Sequence, residues 1–226
     1  MVTNLTTLAE VSVPKKTQTY TPVSHMELIT CVKEQVDKAG LKIKDEQYFE
    51  NRGGRQMFGS IIIDGGNKEQ DLNIGFRNSY DKSMQLGFVA GARVIVCSNM
   101  MFSGEFKSLH MHQGEIAAEL DKLAETAVKS LSAQFKQIQS DTKKLKAKKI
   151  DQAIINELIG GLFLEQELIS VTQLKLIREE LKEQKLFGAE TVWDIYNHTT
   201  EALKTSPVTK IVNDHLKAHE YYMSKC

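Results

Sequence analysis

The sequence predicts an α+β fold in which an antiparallel, meandering sheet over about residues 41–103 is packed by a helical C-terminal half. Three observations carry this. Between residues 41 and 103 the apolar residues alternate, or run in short β-rich stretches such as Met57-Phe58-Gly59-Ser60-Ile61-Ile62-Ile63. The connections there are brief clusters such as Asp64-Gly65-Gly66-Asn67, shorter than the dozen or more residues a parallel crossover needs. After Gly114 the spacing changes: Ile116, Leu120, Leu123, Ala127, Leu131, Phe135 and Ile138 recur every three or four residues and mark one stripe down a long helix.

Element by element, residues 1–23 are rich in Thr, Ser and Val, hold Pro14 and Pro22, and keep no sustained period; they read as an N-terminal arm that can add an edge strand. Ser24 is placed to cap a helix carrying Leu28, Ile29, Val32 and Val36, which Gly40 ends. Leu41-Lys42-Ile43-Lys44, Leu72-Asn73-Ile74-Gly75-Phe76-Arg77 and residues 85–97 supply further strands. Past the long helix, a lysine run at residues 143–149 precedes a short helix from Asp151 to Gly160-Gly161. Ser170-Val171-Thr172-Gln173 has the form of a capping box. Two more helices follow, one around Trp193 and one in which Ser206 is the N-cap and Pro207 the first helical residue. With no internal repeat and no long linker, residues 24–226 read as one domain, its sheet region at 41–113 and its helical region at 114–226.

The 226 residues can bury a real core. No run approaches the ~18 apolar residues of a membrane span, so no membrane partner is expected. Lys plus Arg (29) equals Asp plus Glu (29), so any attraction to a polyanion has to come from a local patch. Cys31, Cys97 and Cys226 are odd in number and lack metal spacing, which points to free thiols in a reducing compartment. Cys97 sits in an apolar run and reads as a small hydrophobe.

Candidate chemistry is sparse. Neither a Walker-type phosphate loop nor a G-x-G-x-x-G is present. His110, His112 and Glu115 have loose ligand spacing with no second cluster, so no metal or other cofactor is assigned. Ser79, Asp81 and His112 are the residue types of a triad without a nucleophile elbow, and no catalytic residue is assigned. Basic residues interleaved with aromatics are the stronger signal: Arg52, Arg55, Phe58, Phe76, Arg77, Tyr80, Lys82, Arg93, Phe102, Phe106 and Lys107 lie in or beside the sheet. Such a face can stack bases and hold phosphates; the alternative is core phenylalanines with arginines at the rim. The nucleic-acid-binding set taken from this pattern is Arg55, Phe76, Arg77, Tyr80, Lys82, Arg93 and Lys107, with Lys143 and Lys144 from the lysine run.

Arg77-Asn78-Ser79-Tyr80-Asp81-Lys82-Ser83, then Gly91-Ala92-Arg93-Val94, Val96-Cys97-Ser98-Asn99 and His112-Gln113-Gly114, and near the C-terminus Trp193-Asp194-Ile195-Tyr196-Asn197 with Thr200-Glu201, occur in an order that resembles the phage and plasmid protein family DUF932. Met100 departs from the pattern, which continues the Ser-Asn pair with glycine. The resemblance implies a gene carried by phages, prophages or plasmids and a protein working in the cytoplasm of a bacterial host, and it brings no established reaction. The expected function is nonenzymatic binding of nucleic acid, with single-stranded DNA favoured and annealing one form of it. The rivals are an anti-defence protein that binds a host protein, and an enzyme acting on nucleic acid or nucleotide. An oligomer is compatible with either.

Overall fold

The computed structural model describes every residue except 1, 97, 103–106, 109–115 and 185. Strand pairing begins at the start of the described chain. β1 (Val2–Thr3) adds to the sheet as an edge strand, and α1 (Leu5–Ala9) follows, with Leu8 in the core. The arm therefore contributes the edge strand that its composition allows, together with a short helix that no period announced. Its later residues Tyr20 and Val23 are buried as well.

α2 (His25–Lys38) is built as its sequence requires. The Ser24 hydroxyl accepts from the Met26 and Glu27 amides, and beyond the last turn Gly40 takes φ +69°, a conformation costly for a residue with a Cβ. Next come β2 (Ile43–Asn51), β3 (Gln56–Ile63), β4 (Gln70–Ser79), β5 (Gly87–Val94), β6 (Met100–Phe102) and β7 (Lys107–Ser108). All pairs are antiparallel. The order is β1-β2-β3-β4-β5-β6, with β7 also pairing β5. This is the meander the short turns predict.

Both faces of the sheet are covered. On one, Ile61, Ile74, Phe76, Phe88 and Ala92 pack with α2 and with α3 (Ile116–Ala147), whose stripe of Ile116, Leu120, Leu131 and Ile138 is buried. Each of the isoleucine, leucine and phenylalanine side chains among them contributes about 1.5–3 kcal/mol by leaving water. On the other, Phe58, Val89, Met100 and Phe102 meet Val208, Ile211 and Val212 at the start of the last helix. Two strand glycines make room for aromatic rings: a Cβ on Gly59 would strike the Phe76 ring, and one on Gly91 would strike Phe102 and the Met101 carbonyl.

After α3 come α4 (Gln152–Gly160), a π-helical turn (Gly161–Glu165), α5 (Val171–Glu183), α6 (Val192–Leu203) and α7 (Ile211–Met223). Asp151 caps α4 and the Ser170–Gln173 capping box opens α5, both as read from sequence. A second box, Thr191 with Asp194, opens α6. The last helix corrects the expectation. It is assigned from Ile211, with Lys210 rather than Ser206 at the N-cap, because residues 208–210 form a turn closed by bonds from the Lys210 and Ile211 amides to the Pro207 carbonyl.

Candidate nucleic-acid interface

The Arg77-to-Ser83 segment spans the end of β4 and the turn after it, and its polar atoms are largely engaged within the protein. Asn78 donates to the Val23 carbonyl at 2.7 Å and to His25 Nδ1 at 3.0 Å, while His25 Nε2 lies 2.8 Å from the Gly54 carbonyl. A ring that accepts at Nδ1 and donates at Nε2 is neutral. The Tyr80 ring stacks on His25 at 3.9 Å, and its hydroxyl accepts from the His25 amide. Ser79 is fully buried: its hydroxyl donates to the Met84 carbonyl and accepts from the Met84 amide. These bonds join the arm, the start of α2 and the β2–β3 hairpin at one point. Asp81 accepts from Ser83, from Gln56 at 2.8 Å and from Arg52 at 3.1 Å. Partial burial works to raise the Asp81 carboxyl, but the Ser83 and Gln56 hydrogen bonds and the Arg52 charge outweigh it and hold it below its ordinary value. Ser79 and Asp81 have structural partners; His112 of the suggested triad lies outside the described residues, as do His110, Glu115, Cys97 and Phe106. Among the described residues no three His, Cys, Asp or Glu side chains gather as a metal site.

The residues selected from sequence separate into three places. Arg55, Tyr80 and Lys82 lie at the hairpin end of β4. Arg93, Lys143 and Lys144 lie toward its other end, about 30 Å away at the rise of a ten-residue strand. Phe76 and Arg77 fall between.

Phe76 corrects the stacking expectation. Its ring is 0% exposed, pressed over Gly59, and presents no face to a base. Phe58 and Phe102 are equally enclosed, so the alternative of core phenylalanines describes them. Arg77 is mostly buried, with its Nε donating to the Gln85 carbonyl at 3.2 Å, and burial pulls its pKa below the ordinary value. Arg93 is engaged by Asp45 at 2.6 Å and Asp71 at 3.8 Å. Lys107 lies in β7, where only its backbone is described. Lys143 is exposed near the end of α3, and Lys144 approaches Asp141 at 3.8 Å, where cations also suit the negative end of the helix dipole.

What remains accessible is a cleft of about 830 Å³ between the arm and the hairpin, lined by Thr7, Glu10, Lys15, Gly53, Arg55 and Tyr80 among others. The local sequence shapes it. Arg52, Gly53 and Gly54 all take positive φ, turning the hairpin tightly, and a Cβ on Gly54 would strike Val11, so the arm rests directly on the turn. Glu50 accepts the Gly54 amide at 2.6 Å and fixes the turn from below. Arg55 and Lys15 make no ion pair among the described residues, and Lys82 stands 4.7 Å over the Tyr20 ring. Lys15 lies in the arm, where no periodicity marked it; its only signal was its charge.

Residues 14–220 match the model of a family described as a domain of unknown function, DUF932. The chain belongs to this family. No curated protein and no solved structure matches it. The matched span takes in the hairpin, the Arg77-to-Ser83 segment and the C-terminal helices from α3 onward except the last three residues of α7, but leaves out β1 and α1. Among the described residues no helix is long and apolar enough to cross a membrane.

Proposed function

We propose that this member of the DUF932 family binds nucleic acid without catalysing a reaction on it, and that it takes a single strand in the cleft between the arm and the β2–β3 hairpin. One observation carries the reading: two cations that make no ion pair among the described residues, Arg55 and Lys15, line the same open cleft, and Lys82, on the turn after β4, stands over the Tyr20 ring. Phosphates supply most of the affinity in sequence-tolerant binding, and they need accessible cations more than exposed rings. The volume suits a few nucleotides of one strand. The rigid hydrogen-bonded junction beneath would hold the cations in place as the strand enters. A role in phage DNA metabolism, including annealing, belongs to this proposal, as does a place in the host cytoplasm.

Fluorescence anisotropy with a labelled oligothymidine tests it. Affinity should weaken as salt rises, and Arg55→Ala and Lys15→Ala should each lower the salt slope by about one while leaving the melting temperature nearly unchanged. Absence of binding at ~50 mM salt would sink the proposal. Tighter binding to a duplex, lost on replacing Lys143 and Lys144, would move the interface to the end of α3.

A further inference from the structure

The described residues hold a second, more apolar concavity that the nucleic-acid reading does not use. It is a groove of about 700 Å³ between α4 and α5, open to solvent along one side. Ile155 and Ile177 form its buried floor, and Ile159, Leu174 and Leu181 its half-buried walls. Three large apolar side chains left exposed belong to this lobe: Val171, which lines the groove, is 58% exposed, and Leu164 and Leu186 are 74 and 55% exposed. A monomer gains nothing from such a concentration, which marks a surface that another body covers.

The charged rim decides what that body is. Lys175, Arg178 and Lys182 follow one another along α5 at three- and four-residue spacing, all line the groove, and none makes an ion pair among the described residues. Among the described residues no carboxylate lines the groove. Its dimensions fit a helix: α5 has thirteen residues, so the groove runs about 20 Å, or between three and four helical turns. We infer that the α4–α5 groove docks an amphipathic helix of a partner protein, with the helix's apolar stripe on Ile155, Ile159, Leu174 and Leu181 and its acidic flank against Lys175, Arg178 and Lys182. This is the helix-in-groove mode of recognition, in which anchors at i, i+3 or i+4, and i+7 supply affinity and flanking charges supply orientation. The π-helical turn at one end of the groove helps to set its shape. There the chain passes Tyr221 so closely that a Cβ on Gly161 would strike the phenol oxygen, and the preceding Gly160 lines the groove.

The test uses the full chain and two fluorescein-labelled peptides of about 14 residues. Both carry Leu at i, i+3 and i+7; one has Glu and the other Lys on the flanks. The Glu peptide should bind saturably, at least about tenfold more tightly than the Lys peptide, and less well as salt rises. Ile159→Asp should abolish binding. Because that variant could disturb packing, the double change Arg178→Glu with Lys182→Glu, both at exposed positions, serves as the second arm and should reverse the preference toward the Lys peptide. Equal affinity for the two peptides, or no saturable binding of the Glu peptide below about 1 mM, would overturn the inference. So would a dimer in sedimentation equilibrium that the peptide disperses, since the groove would then belong to a second copy of this chain.

Discussion

At the hairpin end of the sheet, His25, Asn78 and Tyr80 bond to one another and to the backbone and Asp81 is held by Gln56, Arg52 and Ser83, whereas along α5 the cations Lys175, Arg178 and Lys182 make no ion pair among the described residues. The first region is dense in the residue types that suggest chemistry, and most of those groups are turned inward. The second has an ordinary composition, and its charged groups face an open apolar groove. Polar density in a sequence thus marks two different things, a junction or a site, and the difference lies in whether the polar atoms are already satisfied. The same distinction operates at the hairpin end itself, where Arg55 and Lys15 remain available while Asn78 and Ser79 beneath them do not.

Three substitutions or conditions sharpen this contrast, the largest effect first. Phe76→Ala removes a ring buried over Gly59 and should cost about 4 kcal/mol in urea denaturation. Oligonucleotide affinity per folded molecule should stay the same. A loss of affinity with little loss of stability would restore Phe76 as a stacking residue and break the comparison.

The second effect is a pH dependence. His215 is fully enclosed between α7 and β6, beside the Phe102 ring, and burial pulls its imidazole from 6.5 down to about 4, only partly offset by the Met100 backbone and reinforced by the Lys204 charge. The unfolded chain therefore takes up the proton first as pH falls. Stability should decline from about pH 6.5 and level off below about pH 4, for a total of about 3 kcal/mol. Subtracting the pH–stability curve of His215→Met from that of the wild type isolates this contribution from those of the carboxylates. A flat difference would show that the ring is solvated.

The third and smallest is Asn78→Ala, which leaves the Val23 carbonyl and His25 Nδ1 without their donor. A cost of about 2 kcal/mol is expected from thermal or urea unfolding, again with unchanged binding per folded molecule.

Much of the fold was legible because its signals are local. Ser24 and Gly40 bound α2, Ser170 and Gln173 open α5, and the three-and-four stripe from Ile116 fixes α3, since each depends on residues within a turn or two of one another. The enclosure of Phe76 was not legible in the same way. Strand alternation shows that a side chain points to one face, while the covering of both faces depends on α2, α3 and a turn as distant as Val208. The junction of His25 with Asn78 joins residues 53 positions apart, so the polar run at 77–83 could be read as a binding segment. Lys15 and Arg55 were visible only as charges, and only the folding of the arm onto Gly54 brings them to one cleft. The start of α7 shifted because Pro207 fits both a first helical turn and the turn that precedes a helix.

β1 has a consequence for the behaviour of the protein in concentrated solution. An open sheet presents unpaired backbone along its outer strands, and two molecules can join there strand to strand and grow into aggregates. On the β2 side, Val2 and Thr3 occupy the backbone opposite Phe49 and Tyr48, the apolar part of the strand. The remainder, with Lys44, Asp45 and Glu46, discourages pairing by charge. At the far side β6 offers only three residues. A protease that trimmed the first four residues would leave the core and the cleft cations in the chain, yet it would uncover the stickiest stretch of β2. Clipped material should accordingly be lost from solution by self-association well before it is lost by unfolding.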